Sequence, residues 1–380
     1  MQLCNALTNL FGSGNLLRDA RASGNVRVLA SLLGPAYRGL IAERAKGAAT
    51  TTMPIEHGAH FLWRYERDFP ELGKLYEVAK QSQWNATSDL DWTRQVDPFD
   101  PAQQLLPDSF LPVSSLPTWA KLTERERNVQ RQAMASWLLS QFLHGEQAAL
   151  YAAAQVTQAV PWLEGKLFGS TQVMDEGRHV EVFQTYLTTK LDKLYPVNDN
   201  LYVVIDAVMT DSRWDLKFLG MQILIEGLAL GAFGTIRKLT REALLKDALR
   251  YIIGDEARHV QYGVAALRRF YVTEGGVTPE REDWTYEIAL MLRNRFLAHE
   301  FYDEFYAHQM TRRQWDEMVL ASDLMRIFRD TMFRRIVPNL KRIGLLSDRI
   351  RPRYEELGVL VYEDGRAAPE LSTQELLEEA

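Results

Sequence analysis

Two stretches of this 380-residue chain carry nearly the same five residues. They are Asp175-Glu176-Gly177-Arg178-His179 and Asp255-Glu256-Ala257-Arg258-His259, 80 positions apart. In a helix, positions i and i+3 share a face, so Glu176 projects with His179 and Glu256 with His259. A carboxylate oxygen and an imidazole nitrogen on one face can grip one metal ion. A single Glu-x-x-His carries little weight, since ordinary residue frequencies give about half an occurrence in a chain of this size. The doubling, with Asp and Arg repeated around it, carries much more.

Two further acids extend the pattern. Glu146 lies 30 residues before Glu176, and Glu226 lies 30 before Glu256, each alone in an apolar helical stretch. A turn is expected near the middle of each interval, at Pro161 and at Thr240. Folded as antiparallel hairpins, the two glutamates of each pair stand about 22 Å from the turn and come level with each other. Packed face to face, the two hairpins bring four carboxylates and two histidines together. Four carboxylates in an apolar core are intolerable without cations. Two divalent ions neutralise them, and mixed carboxylate and imidazole ligation suits iron or manganese. A seam of ion pairs, the other reading of a doubled DE-x-RH, leaves the register of Glu146 and Glu226 unexplained.

Asp175 and Asp255 fall four residues before the histidines. Their natural role is to accept the imidazole's other N–H, within the helix or across the bundle, and so fix the ring. Arg178 and Arg258 then compensate the aspartates. His144 is two residues from Glu146, faces another side and is read as a non-ligand. His57, His60, His299 and His308 receive no role.

The elements that must position these groups read as nearly all-α. Long helical runs extend from Thr123 to Ala159, from Leu163 to about Leu191, within Asn200 to Leu239, and from a cap at Thr240-Arg241-Glu242 to about Gly275-Gly276. Two more follow, Glu280 to Met310 and about Arg312 to Ile343. Strand signals are few. The expected organisation is a helical and connecting region over 1–122 packed on the core, a four-helix dimetal core over 123–275, C-terminal helices over 276–362, and a flexible acidic tail over 363–380. Within the first part, residues 1–60 read as helical pieces, and the Pro- and Trp-rich 61–125 reads as a connecting region with short helices.

A net charge of −6 and a pI near 5.8 argue against a general nucleic-acid binder. Cys4 stands alone, so no intrachain disulfide forms, and a reducing cytoplasm is the expected location. The first residues lack the basic-then-apolar pattern of a signal peptide. Residues 218–236 are long and apolar enough to cross a bilayer, with Glu226 as the one charge. A buried helix of a soluble bundle gives that glutamate a role, and no membrane span is expected.

This core resembles the ferritin-like di-iron carboxylate proteins: hydroxylase subunits of bacterial multicomponent monooxygenases, acyl-carrier-protein desaturases, ribonucleotide reductase small subunits and R2-like oxidases. The resemblance covers roughly residues 125–275. It implies a ferritin-like four-helix core with additional N- and C-terminal helices. It also implies two iron ions, or manganese with iron, and O2 as co-substrate. Carried over, Glu146, Glu176 and His179 hold one ion and Glu226, Glu256 and His259 the other, with some carboxylates bridging. Three positions depart from particular branches. Phe183 stands where small subunits usually have a radical tyrosine. Leu230 stands where multicomponent hydroxylases commonly have threonine, and Ile252 where N-oxygenating members tend to add a histidine.

The activity implied is an O2-dependent oxidase or oxygenase for an apolar or aromatic small molecule. A separate electron donor, such as a ferredoxin or reductase, and a homodimeric assembly go with it. An R2-like radical-generating or ligand-binding oxidase subunit is the second reading, and a non-catalytic iron-storage bundle the third. Phe142, Ala149, Leu150, Ala153, Phe183, Ile223, Leu230, Phe233 and Ile252 lie within two turns of the ligands. They are the expected pocket wall, and ordinary bundle core is the other reading of the same residues.

Overall fold

The computed structural model describes residues 25–376, apart from Ala48 and Thr373. Helices α1 (Val26–Ala36) and α2 (Pro70–Gln81) precede a run of short 3-10 turns between Pro101 and Lys121. The first of the long helices, α3 (Glu124–Ala159), opens on a capping box. The Thr123 side chain accepts from the Glu126 amide, and the Glu126 carboxylate accepts from the Thr123 amide. Such a cap is worth about 1 kcal/mol. Pro161 closes this helix, because a proline disfavours helical backbone at the residue before it. Leu163–Tyr186 then returns as α4, lying along α3.

The third expected run divides in two. α5 (Asp199–Thr210) and α6 (Trp214–Leu239) are separated at Asp211-Ser212-Arg213. The Asp211 side chain accepts from the Arg213 amide and guanidinium, a local turn that competes with helix. Within α6, Leu219–Ile225 forms a π-type stretch that ends immediately before Glu226. α7 (Ala243–Arg268) follows the Thr240-Arg241-Glu242 corner. Its cap is Glu242, which accepts from the Leu244 and Leu245 amides at 2.8 and 2.7 Å.

The last two expected runs are also interrupted. They appear as α8 (Pro279–Arg295), α9 (His299–Phe305), α10 (Arg312–Ala321) and α11 (Asp323–Arg342), followed by a short α12 (Arg351–Glu356). Ala298, with φ 48°, breaks the first, and Ser322, extended and capping α11, breaks the second. Among the described residues there is no strand, so the all-α reading holds. The N-terminal residues read as helical pieces fall partly, over 1–24, outside the described part. So do 377–380 of the acidic tail, whose preceding residues Leu371 and Leu376 are buried.

α3 with α4 and α6 with α7 form two antiparallel hairpins, and α4 also packs on α7. α2 covers α4 and α7 from one side, while α11 lies against α6. Buried apolar side chains from Val28 to Leu376 form one continuous core, and a second cluster around Trp137, Phe301 and Trp315 closes one end. The long apolar segment over 218–236 is part of α6. It has the length and hydropathy of a membrane span, but most of it is buried against neighbouring helices.

Candidate dimetal centre

The six expected ligands meet inside the bundle. Glu146 comes from α3, Glu176 and His179 from α4, Glu226 from α6, and Glu256 and His259 from α7. Donor atoms of Glu146, Glu176, His179 and Glu256 all lie within 4.8 Å of one another, as do those of Glu176, Glu226, Glu256 and His259. Glu176 and Glu256 therefore belong to both groups. All six side chains are buried.

The histidines fix the geometry. His179 Nδ1 lies 3.1 Å from Glu146, 3.4 Å from Glu176 and 3.1 Å from Glu256. His259 Nδ1 lies 3.1 Å from Glu176, 3.6 Å from Glu256 and 4.0 Å from Glu226. On the far side of each ring, Nε2 of His179 donates to Asp255 and Nε2 of His259 donates to Asp175, both at 3.2 Å. An ionised carboxylate can only accept, so Nε2 carries the proton and Nδ1 is the ring atom that faces the cluster of glutamates and could take a metal. The aspartates thus act across the bundle rather than within their own helix. Arg178 pairs with Asp175, and at 3.3 Å with Asp255. Arg258 pairs with Asp255, and at 3.7 Å with Asp175.

The electrostatics of the protein alone are strained. Burial, reinforced by the neighbouring Glu256 carboxylate, pushes Glu146 and Glu226 well above the ordinary carboxylate range. Burial opposes charging the two histidines. Asp255, Glu146 and Glu176 around His179, and Glu176 and Asp175 around His259, outweigh it and raise both rings well above 6.5. Protons are thus drawn in to balance carboxylates that water does not reach. Glu176 Oε2, Glu226 Oε2, both oxygens of Glu256 and His259 Nδ1 are buried and make no hydrogen bond. Buried polar atoms are otherwise almost always paired, so these orphaned donors, all facing one centre, fit a pair of cations.

Four residues around the centre were not singled out from sequence. Gln172 donates to Glu176 and Glu226 at 3.1 and 2.7 Å, and Gln222 donates to Gln172 at 3.2 Å. Trp84 donates to Asp255 at 2.7 Å, and Gln83 to Asp175 at 3.2 Å. Helical spacing held a signal for the glutamines, each one turn before a ligand glutamate. Trp84 and Gln83 follow α2, and no sequence spacing links them to the motifs.

An apolar cavity of about 50 Å³ adjoins Glu146, Glu226 and Glu256. Of the expected wall, only Phe142 and Ala149 line it. Ala153, Phe183, Ile223, Phe233 and Ile252 are buried in packed core instead, Leu230 is buried beside a separate small pocket with Val260 and Asn339, and Leu150 is half-buried off the cavity. Phe183 and Phe233 pack against each other at a tilt and against Phe142, tilted and edge-on respectively, which fills the space that they were expected to border. Much of the wall comes from outside the four ligand helices: Leu201 on α5, Leu292 on α8, Phe296 just after it, and Phe328 on α11. The remaining histidines stay away from the centre. His144 bonds the Tyr195 carbonyl, His57 bonds Gln158 and His299 bonds Asp316.

A glutamate from each of two helices and a Glu-x-x-His from each of the other two, all projecting inward, is the arrangement of the ferritin-like dimetal carboxylate proteins. No protein-family model matches the chain, and no curated protein does. Among solved structures, the chain is similar to a point mutant of an R2-like ligand-binding oxidase with an anaerobically reconstituted Mn/Fe cofactor. The two are 21% identical, the match covers 73% of this chain and 94% of that one, and the TM-score is 0.43.

Proposed function

We propose that this protein is an O2-dependent dimetal oxidase or oxygenase. Glu146, Glu176, His179, Glu226, Glu256 and His259 would hold two iron ions, or manganese with iron, and its substrate would be an apolar or aromatic small molecule. The observation that carries the reading is the pairing of two ligand sets that share Glu176 and Glu256 with an apolar cavity reaching three of the same carboxylates. When bound, such ions supply the electrons that reduce O2 and so generate an oxidant. The chain's own residues do the rest. Asp175 and Asp255 hold the imidazoles in one tautomer and orientation. The cavity wall of leucines and phenylalanines excludes water and admits apolar groups. A volume of about 50 Å³ takes a few water-sized molecules, so a larger substrate needs the wall to move. Hydroxylation, N-oxygenation and desaturation all suit this setting, with electrons drawn from a separate donor protein.

The test is anaerobic loading with ferrous iron, followed by O2. Iron uptake should stop near two per chain, with O2 consumed and near-ultraviolet absorption appearing. Uptake continuing to hundreds of ions per chain would identify a storage bundle instead.

A further inference from the structure

The two hairpins repeat at an offset of 80 residues, with Glu146 matching Glu226, Glu176 matching Glu256 and His179 matching His259. The residues one turn before the glutamates do not repeat. Gln172 precedes Glu176, but Ile252 precedes Glu256. Gln222 precedes Glu226, but Phe142 precedes Glu146. The structure gives this break in symmetry a direction. Both carboxylate oxygens that accept from Gln172 lie on the His259 side. One is Glu176 Oε1, the oxygen 3.1 Å from His259 Nδ1, and the other is Glu226 Oε1.

The amide is held in its own turn. Gln172 presents its NH2 group to the two glutamates, the orientation that ionised carboxylates ready for a cation require. Its carbonyl then needs a donor, which Gln222 supplies at 3.2 Å. Both glutamine side chains are fully buried. Close contact makes room for them: a Cβ added at Gly263 would stand 2.6 Å from the Gln222 side chain. Glu226 is thereby fixed through one oxygen, and its other oxygen is left without a hydrogen bond. On the His179 side, among the described residues, no side-chain amide donates to Glu146 or Glu256; Gln141, which also lines the cavity, is bonded to Trp137, Pro196 and Asn198 instead. Phe142 and Ile252 occupy the matching positions, Glu256 makes no hydrogen bond through either oxygen, and Glu146 faces the apolar cavity beside Phe142.

We infer that the two metal positions are unequal, and that Gln172, backed by Gln222, is the positioning residue that makes the Glu226/His259 position the tightly held one. The Glu146/His179 position, whose own carboxylate Glu146 accepts no amide hydrogen bond and borders the cavity, is the exchangeable one and the one that incoming small molecules meet. A carboxylate already oriented by a hydrogen bond loses less freedom when it ligates, so the clamped set binds more strongly. The inference rests on the dimetal reading above.

Cobalt(II) is a suitable probe, measured by competition with a chelator at fixed pH. His179→Ala isolates the Glu226/His259 position, and His259→Ala isolates the other. The ion left in His179→Ala should be held about 10-fold more tightly than the ion left in His259→Ala. Adding Gln172→Met to His179→Ala, where it frees both Glu176 and Glu226, should weaken its ion by about 10-fold or more, and adding it to His259→Ala, where only the shared Glu176 is freed, should weaken its ion distinctly less. Gln222→Met touches no ligand and should weaken the His179→Ala ion alone, which keeps the test open if Gln172→Met folds poorly. Equal affinities in the two histidine variants, or equal losses at both positions, would overturn the inference and leave the metal centre standing. Failure of the unsubstituted protein to bind cobalt would instead overturn the dimetal reading.

Discussion

Asp255 receives the hydrogen bond of His179, 76 residues away on the opposite hairpin, and not that of His259 on its own helix. Asp175 does the same for His259, so each motif orients the other motif's imidazole. Asp255→Asn keeps the shape and removes the charge. It should weaken the ion at His179 by about 10- to 100-fold, with a smaller effect at His259. Chelator competition on the two single-histidine variants reads both positions, and equal weakening at the two would contradict the crossed arrangement.

Shared and unshared carboxylates should behave differently. Glu176 belongs to both donor groups and Glu146 to one. Glu176→Ala should therefore lose both ions, whereas Glu146→Ala should keep about one per chain. Elemental analysis after desalting decides, and full occupancy in Glu176→Ala would be incompatible with the assignment.

The metal-free protein should lose stability as pH rises. Glu146, Glu226, His179 and His259 all hold their protons more tightly folded than unfolded. Glu176 and Asp255, depressed in the folded state, act oppositely only within the acid range, so above the ordinary carboxylate range the native state binds more protons than the unfolded chain and the slope of stability against pH is negative. The contribution of the histidines is complete below their unfolded value of about 6.5 and fades as pH climbs through the raised folded values. Divalent ions replace those protons, so metal-loaded protein should show a flatter profile. Thermal melts between pH 6 and 9, with and without metal, test this. A metal-free melting temperature that rises across that range would refute it.

How much of this was legible follows from energetics. A lone carboxylate in an apolar helix is expensive, so Glu146 and Glu226 stood out against their surroundings, and the helix period tied Glu176 to His179. Gln172 and Gln222 are neutral and common in helices, so their place one turn before Glu176 and Glu226 is a weak signal, sharpened only by comparison at the 80-residue offset with Ile252 and Phe142. Trp84 reaches Asp255 over 171 residues, a contact set by tertiary packing alone. The cavity was misplaced for the same reason: Phe296 and Phe328 come from C-terminal segments that no ligand motif points to. Helix ends at Asp211 and Ser322 were missed because side-chain turns there interrupt a helical periodicity that runs on past them.

Phe328, with Leu138 and Leu228, separates the metal-side cavity from a second apolar cavity of about 40 Å³. Phe328→Ala should join the two and raise affinity for longer apolar ligands, at a cost of about 1–3 kcal/mol in stability. Binding of an environment-sensitive apolar dye, alongside a denaturant curve, measures both. Unchanged dye affinity in a folded variant would argue against a shared wall.

No stable tyrosyl radical is expected after oxygenation. Phe183 stands near the centre, and Tyr186 is buried with its hydroxyl donated to Glu242, the cap of α7. Tyr186→Phe should lower stability by about 1.5–3 kcal/mol, the range for a hydrogen bond to a charged group, and leave O2 consumption unchanged. Low-temperature electron paramagnetic resonance and an oxygen electrode check the two halves. A persistent tyrosyl signal would move the assignment toward a radical-generating subunit.

The π-type stretch Leu219–Ile225 sets the rotation of Glu226 about the axis of α6 relative to everything before it. Successive residues of a regular helix differ by about 100° in direction. Deleting one residue from that stretch, and so regularising the helix, would leave either Glu226 or the Trp214–Phe218 end of α6 pointing the wrong way. The wide turn therefore works as a phase adjuster, which lets the packing face of one end and the ligand at the middle be chosen separately. Volume-conserving apolar substitutions at Leu219 or Leu224 should be tolerated far better than a change in length.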